Sequence, residues 1–290
     1  MTYNIYDPTG NITALVEEEA DSDISLILAA RVEKASKIMK KHPEVEQVGF
    51  VRLAAEDAVS EPTGVDAVLE MAGGEFCGNA SMCAAVWYVQ KCPEEDTFAG
   101  KDTFTVTLQV SGTHSPVRVD LTEKTDCFEA CVHMPCALGI DETELSYGEI
   151  LGNLPVVRLD GISHIIIVKV SPFYELLSDR EAAGEAVRKW CRELGVEGLG
   201  LMFLDEAAGG VESVQKLKAA LTPLVYIPGS DTLFWEHSCA SGSCATGLYL
   251  ASRKGASVAI SLAQPGGTLV AESDPASMRT LLHGRVKTSR

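Results

Sequence analysis

The sequence predicts an α+β chain made of two similar halves, and three observations carry that expectation. Short β-branched or alternating runs, such as residues 104–110 and 165–170, read as strands. Between them lie a few segments with helical spacing, notably residues 22–41 and 181–195. The order then repeats: strand-rich sequence, one amphipathic helix, more strand, and a cysteine-bearing loop that runs into an apolar segment.

Taken in order, residues 4–6 form a strand ended by the turn Pro8-Thr9-Gly10-Asn11, and residues 12–16 are its partner. The helix over 22–41 has Ser22 or Asp23 as its cap, and Lys37, Lys40 and Lys41 suit the negative end of its dipole. Residues 48–53 and 65–71 are strands that lead into the first cysteine loop. A helix over 82–90 follows, then a polar loop to Lys101. The pattern breaks at 111–116 between two strands, and the domain crossover is placed there. That gives a first domain of residues 1–115 plus about 275–290, and a second of 116–274. His114 in the break is read as a solvated loop histidine. In the second half, residues 128–134, 156–159, 165–170, 201–204, 224–227, 258–262 and 268–271 are strands. Ala183, Val187, Trp190 and Leu194 form the core stripe of the helix over 181–195, which also holds a structural Cys191.

The chain has 290 residues, 46% of them hydrophobic and 22% charged, enough for two modest cores. A formal charge of −17 argues against nucleic acid or an anionic membrane as partner, since both need a basic face. The N-terminus lacks the basic residues and apolar run of a signal peptide, and no apolar run reaches the roughly 20 residues of a membrane span. Nine scattered cysteines fit reduced thiols in a cytoplasm better than a disulfide framework.

The two cysteine loops carry the chemistry. The first reads Gly74-Glu75-Phe76-Cys77-Gly78-Asn79-Ala80-Ser81-Met82-Cys83, and the second His237-Ser238-Cys239-Ala240-Ser241-Gly242-Ser243-Cys244. Small residues let a backbone approach a ligand, and Asn79 or Ser241 is expected to cap the helix that follows. Cys77 and Cys239 then sit at helix N-termini, where unpaired N–H groups favour a thiolate and attract a carboxylate. A lowered thiol pKa is therefore expected for both. The competing reading is inert core cysteine. A metal site is not expected, because the cysteine spacings exceed those of zinc-ligand pairs. No dinucleotide or phosphate-loop motif is present, so no cofactor is expected.

Cys77-Gly78-Asn79-Ala80 and Cys239-Ala240-Ser241-Gly242 resemble the two active-site loops of the diaminopimelate epimerase superfamily of cofactor-independent racemases and epimerases. Pro8-Thr9-Gly10-Asn11, Glu46-Gln47-Val48-Gly49-Phe50, Val132-His133-Met134-Pro135, Gly161-Ile162-Ser163-His164 and Gln264-Pro265-Gly266-Gly267 fall in the family's order. The resemblance implies two pseudo-symmetric, mixed β-barrel-like domains, each around a central helix, with the site at their interface. It also implies that a thiolate and a thiol, Cys77 and Cys239, act on opposite faces of an amino-acid α-carbon. By the same resemblance, Asn11, Glu46, Gln47, Gly78, Asn79, His164, Ala240 and Ser241 contact the substrate.

The asparagine and Glu-Arg pair that grip the far end of diaminopimelate have no match in residues 69–74 and 229–235. Glu75-Phe76-Cys77-Gly78-Asn79-Ala80, Tyr226-Ile227-Pro228 and Trp235-Glu236 instead resemble the histidine racemases of this superfamily, which are associated with opine metallophores. Phe76, Trp235 and Glu236 are expected to offer a pocket for an imidazole, and His164 and His237 are read as structural rather than catalytic, because the two thiols already complete the acid–base pair. The expected partner is a small amino acid, and a homodimer is left open. A diaminopimelate epimerase is the runner-up. A silent amino-acid-binding or thiol redox protein is the alternative from another class, and a phenazine-type isomerase is disfavoured by the second loop cysteine.

Overall fold

The computed structural model describes residues 2–18, 24–54, 64–92, 102–208, 216–229 and 231–288, so the caps expected at Ser22 or Asp23 lie outside the described residues. The chain divides into two compact units, Met1–Met134 with His283–Arg290, and Pro135–Leu282.

Unit 1 contains β1 (Tyr3–Pro8), β2 (Thr13–Glu17), α1 (Ile24–Lys41), β3 (Gln47–Leu53), β4 (Ala67–Met71), α2 (Gly78–Lys91), β5 (Thr103–Val110), β6 (Val117–Glu123) and β7 (Phe128–His133). Most of a late strand, β16 (Arg279–Thr288), completes it. Neighbours run β1 to β7 in sequence order and then β16, which pairs back onto β1 through Tyr6↔Thr288 and Pro8↔Val286. The result is a closed eight-stranded barrel, so no edge is left in the ring. β2 pairs with β3, and β4 with β5, in parallel. A parallel neighbour needs a crossover, and α1 and α2 supply them.

Helix α2 is buried along its length, from Gly78 to Val89, and touches β1 to β7. An apolar sequence on every side suits a helix wrapped by strands. At its far end Trp87 Nε1 and Lys91 Nζ donate to the two Glu17 oxygens at 3.0 and 2.9 Å, which fixes the helix against the end of β2. The helix starts four residues earlier than its apolar run suggests, because Gly78, Asn79 and Ala80 of the loop form its first turn.

Unit 2 contains β8 (Gly139–Tyr147), β9 (Ile150–Arg158), β10 (Ser163–Val168), α3 (Arg180–Leu194), β11 (Leu199–Asp205), β12 (Lys216–Ile227), β13 (Thr232–Trp235), α4 (Ala240–Lys254), β14 (Val258–Gln264) and β15 (Gly267–Asp274). Its strands run β8-β9-β10-β11-β12-β14-β15, with β13 on β12. Again β10 pairs with β11, and β12 with β14, in parallel, crossed by α3 and α4. Among the described residues no ladder joins β8 to β15, so this row is open where unit 1 is closed.

The sheet of unit 2 is covered on two sides. Ile165, Ile167, Leu201, Phe203, Leu224 and Tyr226 pack with Trp190, Val187 and Ala183 of α3. Strand alternation sends His164, Gly200 and Met202 to the other side, and α4 packs on β9, β10, β11, β14 and β15.

The division falls one hairpin later than the expected break at 111–116, which is the turn between β5 and β6. Those strands pair through Leu108↔Val117, and β6 and β7 stay in the barrel. β8 and β13 were not foreseen: Gly139-Ile140-Asp141-Glu142-Thr143-Glu144 lacks apolar alternation because β8 is the last strand of its row.

Candidate active site

Each central helix begins at a cysteine, and the two starts are built alike. Cys77 is the N-cap of α2, and its Sγ accepts from Ala80 N at 3.3 Å. Cys239 is the N-cap of α4, and its Sγ accepts from Gly242 N at 3.3 Å. The caps are therefore the cysteines themselves, and Asn79 and Ser241 stand inside the first turn, contrary to the sequence expectation. A serine four residues on repeats too. Ser81 Oγ donates to Cys77 O at 2.8 Å, and Ser243 Oγ donates to Cys239 O at 2.6 Å. The first-turn N–H groups of Gly78, Asn79, Ala240 and Ser241 have no carbonyl of their own helix to bind, which leaves them suited to a carboxylate.

In unit 1 the parallel pairing Thr13↔Gln47 sets the β1–β2 turn beside the start of β3. Asn11 is fully buried there, and its Nδ2 donates to Glu46 Oε2 at 2.9 Å while its Oδ1 has no hydrogen-bond partner among the described residues. The next residue, Gln47, accepts from Cys77 Sγ at 2.7 Å. Asn11, Glu46, Gln47, Cys77, Gly78 and Asn79 are thus brought together. The loop that delivers Cys77 is held by the β5–β6 turn. Ser111 Oγ donates to Glu75 O at 2.8 Å and accepts from Met71 N at 2.9 Å. Gly112, at φ +71°, passes so close to the Phe76 amide that a Cβ would collide with it.

In unit 2, His164 is fully buried and its Nε2 lies 2.9 Å from Ser241 Oγ, which lies 3.6 Å from Cys239 Sγ. The ring rests against Gly200, its partner across β10 and β11, where a Cβ would overlap Nδ1. Burial pushes the His164 pKa down to about 3, so the imidazole is neutral. His164, Cys239, Ala240 and Ser241 therefore form one group.

Cys239 departs from the expectation of a lowered pKa. Burial first, and then the Glu236 carboxylate within hydrogen-bonding reach, raise it well above an ordinary thiol, and bonds from Ser241 and Gly242 only partly offset this. Desolvation and a like charge outweigh the N-terminal N–H groups, so Cys239 rests as a thiol. Neighbouring Cys83 and Cys244 are also raised, chiefly by burial. They read as core.

The aromatic half of the expected imidazole pocket does not form at Trp235. Its ring stacks on Phe203 at 5.9 Å, and Arg180 lies over it at 5.1 Å, on the α3 side of the sheet. Alternation along the strand separates it from Glu236, which reaches Cys239. The sequence marked Gln264 only as the start of a family-ordered turn and not as a partner of Cys239, whose N–H its Oε1 accepts at 2.9 Å. The serine at the fourth position after each cysteine was legible as a repeat. The contact from Gln264 was not, because it comes from another strand.

Among the described residues no group of His, Cys, Asp or Glu is arranged to hold a metal ion, and no helix is long and apolar enough to cross a membrane. Two solved structures share the fold. A methylitaconate-delta-isomerase superimposes with a TM-score of 0.60 at 10% identity, covering 99% of this chain and 93% of that one. A predicted epimerase from Pseudomonas aeruginosa does so with 0.60 at 12% identity, covering 99% and 96%. In sequence, the chain is 27% identical to a histidine racemase of Staphylococcus aureus over 99% of its own length and 95% of the relative's. It is also 27% identical to a histidine racemase of Fusobacterium nucleatum, over 91% of its length and 86% of that protein's. Residues 1–288 match the family described as "Histidine racemase CntK N-terminal domain", and the chain belongs to that family.

Proposed function

We propose that the chain is a cofactor-independent isomerase that interconverts L- and D-histidine, with Cys77 and Cys239 as its two acid–base groups. The observation that carries the reading is the repeated cap, a cysteine starting each buried helix in a member of the histidine racemase family. One sulfur takes the α-proton as a thiolate, and the other, as a thiol, returns a proton to the opposite face of the α-carbon. The bond to the departing proton breaks as its electrons move onto the α-carbon and carboxylate. The roles then reverse for the other enantiomer. General acid–base catalysis of this kind contributes about 10²–10⁴-fold.

The developing negative charge needs donors placed in advance. We assign that task to the first-turn N–H groups of Gly78, Asn79, Ala240 and Ser241, facing the substrate carboxylate. Asn11, Glu46 and Gln47 are assigned to substrate contact beside Cys77, since the buried Oδ1 of Asn11 awaits a donor. Gln47 faces Cys77 with an amide, which accepts from a thiol and, turned over, donates to a thiolate. Ionised Glu236 can only accept. We assign Cys239, which burial and Glu236 hold as a thiol, as the acid in the resting enzyme, and give Cys77 the part of the base.

We also read the two units as repeats of one pattern, a reading supported by the paired parallel crossovers and matching caps. The test of function is incubation with L-histidine in deuterated water. D-histidine bearing deuterium at the α-carbon is the expected product, with diaminopimelate as the competing substrate. Histidine recovered with its α-proton intact would end the proposal.

A further inference from the structure

We infer that Gln264 is a positioning residue for Cys239, an assignment that rests on the racemase reading above. Gln264 closes β14, and its side chain is buried against the start of α4. Its Oε1 accepts from Cys239 N at 2.9 Å, and its Nε2 donates to Ser243 Oγ at 2.9 Å. The Ser243 hydroxyl then donates to Cys239 O at 2.6 Å. The three bonds form a closed circuit around the backbone of Cys239, with each donor matched to an acceptor. Two residues further, Gly266 N donates to His237 O at 2.8 Å, so the β14–β15 turn holds the chain on both sides of Ser238.

The circuit has a direction that an amide or a protonated acid satisfies and an ionised carboxylate does not. Cys239 N–H requires an acceptor. Ser243, having given its proton to Cys239 O, requires a donor. The same backbone carries the thiol and the first-turn N–H groups of Ala240 and Ser241. Tilting it moves the sulfur and these N–H groups together, and a displacement of about 1 Å at a reacting group can cost ~10²-fold in rate. No counterpart of this circuit is needed to explain how Cys77 is held, since Gln47 contacts that sulfur directly.

The experiment compares wild type, Gln264→Met and Gln264→Glu. Gln264→Met removes both polar bonds at similar volume, and the expected loss of kcat is about 10²-fold in both directions. Because the two enantiomers are equally stable, kcat/KM stays equal in the two directions. The α-deuterium isotope effects do not. Hindering Cys239 alone makes its proton transfer limiting, so the isotope effect rises for the enantiomer deprotonated by Cys239 and falls for the other. A merely destabilised protein loses active molecules and leaves both isotope effects where they were.

Gln264→Glu supplies rescue. Protonated, its carboxyl donates to Ser243 and accepts from Cys239; ionised, it cannot donate. Its activity relative to wild type should fall as pH rises, whereas that of Gln264→Met stays flat. Iodoacetamide labelling of folded protein, read by peptide mass, should change for Cys239 in Gln264→Met and not for Cys77, whether or not substrate turns over. An inactive wild type with this selective labelling change overturns the racemase reading alone. Gln264→Met within twofold of wild type, equal isotope effects, or unselective labelling overturns the role of Gln264.

Discussion

The starts of α2 and α4 share a skeleton and differ in what meets the sulfur. In both, a cysteine caps the helix, the third residue on donates its N–H to the sulfur, and the fourth is a serine bonded to the cysteine carbonyl. Cys77 then meets a neutral amide that sits on the first residue of β3. Cys239 meets a carboxylate from the residue after β13, a hydroxyl backed by a neutral imidazole, and the Gln264 circuit. The backbone delivers two similarly capped sulfurs, and side chains from other strands give them different surroundings, which at Cys239 raise the thiol pKa. A reaction that runs in both directions needs one sulfur ready to take a proton and the other ready to give one.

The sharpest way to break this comparison is to remove the sulfurs one at a time. Cys77→Ser and Cys239→Ser are each expected to lose racemisation by about 10³-fold or more, because each deletes one partner of the proton exchange. The residual chemistry should separate them. In deuterated water each variant should wash out the α-proton of one enantiomer only, and the two variants should choose opposite enantiomers. Proton NMR of the α-position reads this directly. Loss of the same enantiomer's exchange in both would mean that the sulfurs do not act on opposite faces.

Two glycines set up the next contrast. A methyl group on Gly112 would strike the Phe76 amide and lie 2.7 Å from the Glu75 carbonyl carbon, at a φ of +71°. Backbone cannot swing aside, and both overpacking and the left-handed conformation add cost, about 3 kcal/mol together. At Gly200 the methyl would meet the His164 ring, a side chain held at one end by Ser241, at a cost of about 1–3 kcal/mol. Gly112→Ala should lower the melting temperature more than Gly200→Ala. Only the latter should alter the labelling rate of Cys239. Equal effects of the two on both readouts would show that the glycines serve packing alone.

How far the sequence reached follows the same division. The cysteine loops, their helices and the family were legible, because local spacing and small residues write them into contiguous stretches, whereas the parallel pairings were not read. Asn11, Glu46 and Gln47 were placed by resemblance, and the Thr13↔Gln47 register explains their meeting with each other. What escaped depends on contacts between distant strands. Gln264 lies on β14, and strand alternation turned Trp235 towards α3 rather than towards Cys239. The expected low thiol pKa failed at Cys239 because a helix terminus is a local feature, whereas burial and Glu236 belong to the assembled unit.

Exchanging the polar partners sharpens the electrostatic half of the comparison. Glu236→Gln removes the carboxylate that helps to raise Cys239, so the pH midpoint of its iodoacetamide labelling should move down. Gln47→Glu gives Cys77 a carboxylate, and its midpoint should move up. Peptide mass spectrometry across pH 6–10 follows both sulfurs in one sample. If the Cys239 midpoint stays in place in Glu236→Gln, burial alone sets its affinity, and the assignment of resting acid and base must rest on position instead.

The smallest effect concerns acid. Behind Cys77 stands an amide that does not titrate, whereas behind Ser241 stands His164, whose folded-state pKa is about 3 because of burial. The unfolded chain holds an ordinary histidine, with a pKa near 6.5. Above that value both states are neutral and His164 adds no pH dependence. Below it the unfolded state binds a proton that the folded state refuses, so stability falls as pH drops, by up to about 1.4 kcal/mol per pH unit until pH 3. His164→Gln keeps a group able to bond Ser241 and removes the titration. Between pH 6 and pH 4 the difference in unfolding free energy should therefore shift in favour of the variant, with the carboxylates and remaining histidines cancelling in the comparison. Urea denaturation at each pH measures it. A constant difference would mean that the folded protein accepts the proton on His164. The imidazolium would then donate to Ser241, whose hydroxyl proton would be free to turn towards Cys239.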